Sequence, residues 1–578
     1  MEKFDRRAML GLAAGAAALG ATAAKAAGKP AKALAKPAAA KAPRRSPGAP
    51  PGTAETGPGV PLPTPVVKTK HGPVQGLVDN GVHAFKGLRY AAPPIGKLRF
   101  MPPQPPAPWT DTYDASDYGA PAMQMAGGTS VVASNDFSFQ MHRVFTTPSE
   151  MKVMNEDCLY LNVWTPAPDR KRRPVMVWIH GGGFAYGSGA QPIYQCDGLA
   201  RHFDVVAVSL NHRLNVFGYL NLAEAFGPDY TASGTVGMQD LVAALRWIRD
   251  NIEAFGGDPG NVMISGQSGG GVKVSTLMAM PSAKGLFHKA AIQSGPGLTL
   301  GKAAPAAAQA RQLLDALGIK PGDRAALESV PAPIVLEAAG KLSRGGLGGP
   351  GSGPIVDGTV IPRDPFTPDA PAVSADVPVL VGWAKDEMTI FTAGEPWFGR
   401  MTEADLQARM KPLGEPGQKL LAALRRAYPD YSPTYLWVQV MSTGLGMGGS
   451  ETLADRKAAQ GGAPAYVYMT TWETPAGGGV FRAPHTIEIP FMLYSFDKVR
   501  AFVGPGPEPK RMADQIAGAW VAFARKGDPN HPGLPHWPAY DAKTRPVMEF
   551  NLPSKVVDDP LSEVRQALAA MPNTRIRG

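Results

Sequence analysis

Short apolar runs, bounded by glycine, proline or charged residues, recur along most of the chain. The clearest cover residues 175–179, 205–209, 262–264, 379–381 and 465–468. Runs of this length that are rich in Val and Ile favour strands buried on both faces of a parallel sheet. Between two of them, residues 240–255 carry apolar side chains at helical spacing. This alternation predicts an α/β fold with a large, mostly parallel central sheet and helices on both faces.

A serine between glycines directly follows one of the predicted strands. The run from Gly266 to Gly270 reads Gly-Gln-Ser-Gly-Gly, and a helical pattern starts near Gly271. In a Gly-x-Ser-x-Gly strand-to-helix turn the serine stands above the sheet, and a Cβ at either flanking glycine would collide within the turn. Ser268 is therefore the candidate nucleophile. The alternative is a serine in a glycine-rich loop, since 67 of the 578 residues are Gly.

A second glycine-rich run, at residues 180–184, reads His-Gly-Gly-Gly-Phe and follows the predicted strand at 175–179. Acyl transfer builds negative charge on a carbonyl oxygen, and fixed backbone N–H groups stabilise that oxyanion. Consecutive glycines let these groups approach a substrate closely. The run therefore predicts an oxyanion-binding loop upstream of the serine turn, with a simple flexible turn as the alternative.

An acid and a base are expected to follow the serine in the order Ser, Asp or Glu, His. Asp386 and Glu387 come just after the run at 379–381, and His485 lies in a polar loop after the run at 465–468. Both loops leave predicted strands at the sheet edge where functional side chains gather. The alternatives are a solvated acidic loop and a hydrogen-bonded structural histidine, and at this point the choice between the two carboxylates stays open.

Several blocks of sequence around these motifs match a known family. They are Asn-Glu-Asp-Cys-Leu-Tyr-Leu-Asn-Val-Trp at 155–164, Asn-His-Arg-Leu at 211–214, Phe-Gly-Gly-Asp-Pro-Gly-Asn-Val at 255–262, Gly-Leu-Phe-His-Lys-Ala at 285–290 and Gln-Ser-Gly at 293–295. In this order the blocks resemble the type-B carboxylesterases, which include the cholinesterases, the para-nitrobenzyl esterases and the neuroligins. The resemblance covers residues 66–550.

This resemblance implies an α/β-hydrolase fold and a serine esterase that acts on a small-molecule ester. By position it makes Ser268 the nucleophile, Glu387 the acid and His485 the general base. It also implies an ion pair between Arg99 and Glu156. The N–H groups that it implies for the oxyanion hole belong to Gly182, Gly183 and Gly269. The sequence has no HExxH run or Cys/His cluster, so no metal or organic cofactor is expected.

The sequence departs from the family pattern at several positions. Met123 stands where many relatives have a cysteine, and Pro148 stands where cholinesterases have a choline-stacking tryptophan. Gln267 and Gly269 replace the usual Glu and Ala beside the serine, and Thr486 replaces a Gly after the histidine. A choline site is therefore not expected. Cys158 and Cys196, the two cysteines of the chain, are expected to be buried thiols, with a bridge between them as the alternative.

The basic charge of the chain is concentrated at its N-terminal end. Residues 1–70 hold twelve Lys/Arg and three Asp/Glu, which is +9 of the total +10. A nearly neutral body lacks the positive surface that binds nucleic acid. Nothing in the sequence fixes the oligomeric state.

The N-terminal segment has the features of an export signal. Arg6-Arg7 precede an apolar run at 8–24, and Ala24-Lys25-Ala26 resembles a cleavage site. The arginine pair favours twin-arginine export to the periplasm or beyond over a Sec signal or an anchor. No later stretch has the ~18 apolar residues of a membrane span. We therefore divide the chain into a signal at 1–26, a disordered Ala/Pro/Lys-rich linker at 27–65, and an α/β-hydrolase domain at 66–578.

Two other functions remain open at the level of sequence. The first is a non-catalytic, neuroligin-like binding protein, which would not need all three triad positions. The second is a triad enzyme that acts on lactones, carbamates or amides, or that transfers the acyl group to an alcohol. The irregular tracts at 124–150 and 343–353 could each line a substrate entrance.

Overall fold

The computed structural model describes residues 61–79, 81–125, 154–343 and 349–571. Their dominant feature is a twelve-stranded sheet. In chain order its strands are β1 Leu62–Pro63, β2 Leu77–Asp79, β3 Val82–Arg89, β4 Tyr160–Thr165, β5 Arg173–Ile179, β6 Val206–Leu210, β7 Gly257–Gln267, β8 Lys289–Gln293, β9 Val379–Ala384, β10 Ala465–Thr470, β11 Pro546–Phe550 and β12 Lys555–Asp558.

The strands lie in the order β1-β2-β3-β4-β6-β5-β7-β8-β9-β10-β11-β12. From β6 to β11 every neighbouring pair is parallel, whereas the pairs at both edges are antiparallel. Two small sheets lie apart from it, formed by Val67–Lys68, Pro73–Gln75 and Tyr113–Asp114, and by Gly301–Lys302 and Ile355–Val356.

Helices cover both faces of the central sheet. In the described residues they are α1 Asp197–Phe203, α2 Asn215–Tyr219, α3 Ala223–Phe226, α4 Val236–Asn251, α5 Gly269–Ala279, α6 Ala303–Leu317, α7 Arg324–Ser329, α8 Ala332–Leu342, α9 Thr389–Thr392, α10 Glu403–Met410, α11 Gly414–Ala427, α12 Pro433–Ser442, α13 Gly448–Gln460, α14 Ile489–Met492, α15 Arg500–Val503, α16 Glu508–Lys526 and α17 Ser562–Ala569. Along β5, Val175 and Val177 join the core under one helical layer, whereas Met176 and Trp178 join the core under the other. The central strands are therefore buried on both faces, as their apolar runs predict.

All five apolar runs fall on strands of the parallel core, except that Val205 precedes β6, and several strands extend beyond their runs. The helix predicted over 240–255 starts earlier, at Val236, and its last turn, Ile252–Phe255, tightens into a 3-10 helix. The predicted linker at 27–65 overlaps the sheet by a few residues, because Leu62–Pro63 pair with β2 as an edge strand. Most of the tract at 124–150, and residues 344–348, lie outside the described residues.

Two covalent and ionic expectations are settled by the structure. Cys158 and Cys196 are separate buried thiols, so the bridge that was the alternative is absent. The Nε atom of Arg99 donates to Glu156 at 2.7 Å, and the Arg99 guanidinium also caps the carbonyl of Val330 at 2.7 Å. The ion pair implied by the resemblance is thus present and anchors the segment before β4.

The register of the sheet brings four loops to one edge. Ser265 on β7 faces Trp178 on β5, so these neighbouring strands end side by side. The parallel strands β9 and β10 end at the same edge. Ligand sites of open α/β sheets lie at the carboxyl ends of the strands, and this edge carries every residue proposed above for the chemistry. No helix in the described part of the chain has both the length and the apolar character of a membrane span.

Candidate active site

Ser268 occupies the turn between β7 and α5. Its backbone has φ +59° and ψ −126°, which is unusual for a residue with a side chain. A Cβ on Gly266 would lie 2.5 Å from the carbonyl carbon of Gly270, and a Cβ on Gly270 would lie 2.2 Å from the oxygen of Ile179. The two glycines therefore have the steric role that the motif predicts, and the alternative of an irregular glycine-rich loop does not hold.

The loop after β5 lies against this turn. Gly182 and Gly183 both have positive φ, at +78° and +59°. Among the described residues, neither of their N–H groups has a hydrogen-bond acceptor. A Cβ on Gly269 would lie 2.2 Å from the oxygen of Gly183, so the bare backbones of loop and helix are in direct contact. Free N–H groups beside the serine are what an oxyanion needs.

Glu387 and His485 meet at the neighbouring strand ends. An oxygen of the Glu387 carboxylate accepts a hydrogen bond from the N–H of Ala384 at 2.9 Å. The other oxygen contacts Nδ1 of His485, and the N–H of His485 donates to the carbonyl of Glu387 at 3.3 Å. Both side chains are buried. A carboxylate on Nδ1 fixes the imidazole orientation and leaves Nε2 to face the serine turn.

Asp386 has a different position from its neighbour. Its carboxylate accepts hydrogen bonds from Gln439 at 2.8 Å, from the hydroxyl of Tyr431 at 3.0 Å and from the N–H of Ala483 at 3.2 Å. Both Asp386 and Glu387 are fully buried, so the alternative of a solvated acidic loop is wrong. Asp386 fixes the loop that carries His485, whereas Glu387 faces the imidazole itself.

The residue beside the serine also contacts the histidine. The Nε2 atom of Gln267 lies 3.1 Å from Nε2 of His485, and Gln267 is buried. Within the described residues the hydroxyl of Ser268 has no hydrogen-bond partner. The hydrogen bond between a catalytic serine and its histidine often forms fully only when substrate is bound. The structure therefore brings His485 to the serine turn through Gln267.

Three further residues at this site were not found by the sequence reasoning. Glu488 is fully buried, and burial together with the charge of Glu387 raises the pKa of its carboxyl group to about 7. Gly446 lies so close to Glu387 that a Cβ would come within 2.7 Å of the carboxylate. Lys273 is fully buried on α5. A single charged residue in a helix whose other side chains are uncharged was the only signal for Lys273, and no pattern pointed to Gly446.

An aromatic ring lies at the outer side of the histidine. The ring of Phe391 on α9 is 5.2 Å from the imidazole of His485, measured between centroids. The side chain is 41% exposed, so part of the ring is accessible from outside the site. In the described part of the chain, no cluster of three or more His, Cys, Asp or Glu side chains is arranged to hold a metal ion.

Comparison with known proteins decides the family. The family model described as "Carboxylesterase family" matches residues 63–569. The chain belongs to the carboxylesterase family. Among its relatives, para-nitrobenzyl esterase of Bacillus subtilis is 35% identical over 87% of this chain and 98% of that protein.

Solved structures of other carboxylesterases have the same fold. That of the Geobacillus stearothermophilus carboxylesterase is 38% identical, with a TM-score of 0.75 over 87% of this chain and 99% of that one. A second solved structure is that of an esterase of Clostridium hathewayi, an enzyme described as able to hydrolyse aliphatic aromatic polyesters. It is 32% identical, with a TM-score of 0.75 over 89% of this chain and 100% of that one. This carboxylesterase therefore has the α/β-hydrolase fold and is a serine hydrolase of carboxylic esters, not a non-catalytic binding protein.

Proposed function

We propose that Ser268, His485 and Glu387 form the catalytic triad of this carboxylesterase. Nε2 of His485 takes the proton of the Ser268 hydroxyl while Oγ of Ser268 attacks the ester carbonyl carbon. Glu387 orients the imidazole and stabilises the imidazolium that forms. The protonated histidine then gives its proton to the leaving alcohol, and an acyl-enzyme remains. Water, activated by the same histidine, releases the acid and restores the serine.

The observation that carries this proposal is the strained backbone of Ser268 beside a buried Glu387–His485 pair. Positive φ in a residue other than glycine persists only where the surroundings enforce it, and such strain clusters at functional sites. The N–H groups of Gly182, Gly183 and Gly269 are proposed to hold the oxyanion of the tetrahedral intermediate. The start of α5 behind the serine adds a favourable dipole.

Replacing the nucleophile tests this assignment. We expect Ser268→Ala to lower kcat for para-nitrophenyl acetate by at least about 10⁴-fold, because the covalent step is lost. A fluorophosphonate should label the wild-type protein at Ser268, as mapped by mass spectrometry of its peptides. Ser265, buried three residues upstream on β7, provides the control: Ser265→Ala should still be labelled. Full activity of Ser268→Ala would exclude the assignment.

We further propose that the natural esters carry an aromatic group next to the scissile bond. The exposed ring of Phe391 beside His485 supports this, because aromatic rings prefer to pack on one another. Relatives named for para-nitrobenzyl esters and for aliphatic aromatic polyesters agree with it.

A matched pair of substrates tests the aromatic preference. We expect Phe391→Ala to lower kcat/KM for phenyl and benzoyl esters more than for aliphatic esters of equal size. An equal loss for both classes would remove Phe391 from substrate recognition without affecting the triad. Carbamates, lactones and amides belong in the same panel, since the triad chemistry alone does not exclude them.

We also propose export through the twin-arginine route to the periplasm or the medium. The support is the arginine pair at 6–7 before an apolar run. Replacing Arg6 and Arg7 together by Lys should leave the enzyme in the cytoplasm, as measured by fractionation and activity. Replacing Arg44 and Arg45 by Lys in the linker is the matched control and should not change export. Normal export of the first variant would point to a Sec signal instead.

A further inference from the structure

Lys273 is a buried cation that the triad chemistry does not use. It lies on α5, five residues after Ser268, and its side chain is fully buried. The ammonium group donates hydrogen bonds to the carbonyl of His180 at 3.0 Å and to that of Gly183 at 2.9 Å. Both acceptors belong to the loop whose N–H groups are proposed to form the oxyanion hole.

The ammonium group has an unusual electrostatic environment. The described residues give it no carboxylate partner. The ring centroid of Phe184 lies 5.2 Å from its nitrogen, and the histidines His180 and His212 are close enough to feel its charge. Burial and the charge of Lys273 lower the pKa of both histidines, so neither is a second cation at neutral pH. Burying an unpaired charge is unfavourable, and a buried lysine loses its proton more easily for that reason. A lysine at this place, where an apolar side chain would carry no such cost, indicates that the site uses its positive charge.

The geometry connects this lysine to the hole itself. Gly269 and Lys273 are one helical turn apart and therefore lie on the same face of α5. Gly269 approaches Gly183 so closely that a Cβ would lie 2.2 Å from its oxygen, and Lys273 donates to that same oxygen. Two residues of α5 therefore contact the carbonyl group of Gly183: Gly269 packs against it, and Lys273 donates a hydrogen bond to it.

We propose that Lys273 is a positioning residue of the oxyanion hole. By holding the carbonyls of His180 and Gly183 it keeps the N–H groups of Gly182 and Gly183 turned towards the reacting carbonyl. The attraction between its positive charge and the substrate oxygen also strengthens as negative charge develops on that oxygen. An interaction that strengthens only in the transition state raises kcat instead of lowering KM.

The test compares two buried lysines of the same chain. Lys457 on α13 is also buried and donates to two backbone carbonyls, those of Ser374 and Ala375, at 3.1 and 2.8 Å. It lies towards the opposite end of β9 from Glu387. We expect Lys273→Met to lower kcat for para-nitrophenyl acetate by about 10- to 100-fold with little change in KM, less than the loss of a direct hole donor. Lys457→Met should lower Tm but leave kcat unchanged.

The pH profile provides a readout that a purely structural role would not move. Burial lowers the pKa of Lys273 to about 7, while its two carbonyl acceptors favour the ammonium form. Loss of this proton should therefore decrease kcat as the pH rises above neutrality. That alkaline limb should be present in the wild type and in Lys457→Met, and absent in Lys273→Met. Equal kcat and equal alkaline limbs in all three proteins would overturn the proposal.

This inference rests on the proposed triad, and the outcomes separate the two. If Ser268→Ala stays active, the triad assignment fails; if it is inactive while Lys273→Met retains wild-type kcat, only the role of Lys273 fails. Should Lys273→Met not fold, the wild type alone is measured with a trifluoromethyl ketone, which forms a tetrahedral oxyanion on the serine. Its affinity should fall along the alkaline limb while KM stays constant, and a constant affinity would contradict the proposal.

Discussion

At the scale of single residues, two adjacent carboxylates have different partners. Glu387 contacts the imidazole of His485, whereas Asp386 accepts three hydrogen bonds from the surrounding loops. Both are buried, so burial alone does not distinguish a functional acid from a structural one. The direction of each side chain does, because only Glu387 reaches the imidazole of His485.

We therefore expect one amide substitution to affect activity and the other to affect stability. Glu387→Gln should lower kcat by about 10³- to 10⁴-fold, because an amide neither fixes the tautomer nor stabilises the imidazolium. Asp386→Asn should mainly lower the free energy of unfolding, by about 1–3 kcal/mol, because a buried amide cannot accept all three bonds. Steady-state kinetics and denaturant unfolding measure the two effects. If Asp386→Asn loses more kcat than Glu387→Gln, the acid is wrongly assigned.

A second residue-scale contact is that of Gln267 with Nε2 of His485, at 3.1 Å. Gln267→Glu would place a negative charge beside that nitrogen and would stabilise the imidazolium. We expect the acid limb of the kcat/KM profile to move to higher pH, because Nε2 then loses its proton only at a higher pH. Gln267→Met, which removes the contact without adding a charge, is the control and should leave the acid limb nearly in place. An unmoved acid limb in Gln267→Glu would show that the contact does not persist in solution.

At the scale of elements, an irregular turn packs against Glu387, the proposed acid. Between α12 and α13 the chain forms one π-helical turn, Thr443–Met447, and such turns are frequent at functional sites. Gly446 in this turn packs against Glu387 and Trp383, and a Cβ there would lie 2.7 Å from an atom of each. The turn thus lets a backbone approach the carboxylate closely.

Gly446→Ala should displace Glu387 and lower kcat by about 10- to 100-fold, since a small misplacement of a catalytic group costs that much. Gly448→Ala is the matched control, because its Cβ would crowd only the end of the flexible Leu568 side chain, at 2.8 Å, and would lie at an ordinary 3.5 Å from the oxygen of Thr443. We expect that variant to retain kcat. Similar losses of kcat in both variants would mean that the turn tolerates no added volume, whatever its position relative to Glu387.

At the scale of the whole molecule, a buried ion pair joins the sheet to its helical layer. Arg213, just after β6, binds Asp240 on α4 through Nε at 2.9 Å and through a second nitrogen at 2.6 Å. The N–H of Arg213 donates to the same carboxylate at 3.0 Å. Both side chains are almost inaccessible to solvent, so each depends on the other for compensation of its charge.

Asp240→Asn should therefore lower the free energy of unfolding by about 3–5 kcal/mol, because it leaves a buried guanidinium without its counter-ion. The exposed pair of Lys419 and Glu415 on α11 provides the comparison. Glu415→Gln should leave the free energy of unfolding almost unchanged, because an ion pair that stays in water contributes little. Denaturant unfolding monitored by tryptophan fluorescence measures both. Equal effects would mean that the buried pair is accessible to water.

The sequence by itself determined the parts of this protein that depend on local patterns. Apolar runs gave the parallel strands, because a strand buried on both faces needs apolar side chains on both. The glycines around Ser268 were predictable as well, since the turn has no room for a Cβ at Gly266 or Gly270. Motif order then placed the histidine and two candidate acids at strand ends.

Only the tertiary structure decided which side chains meet. It gave Glu387 and Asp386 different partners, brought Gln267 to His485, and placed Lys273 against the loop at residues 180–184. These contacts link residues about 90 to 220 positions apart in the chain, and no local period encodes such distances. They depend on the order and register of the strands, which set the loops beside one another only when the whole sheet has formed.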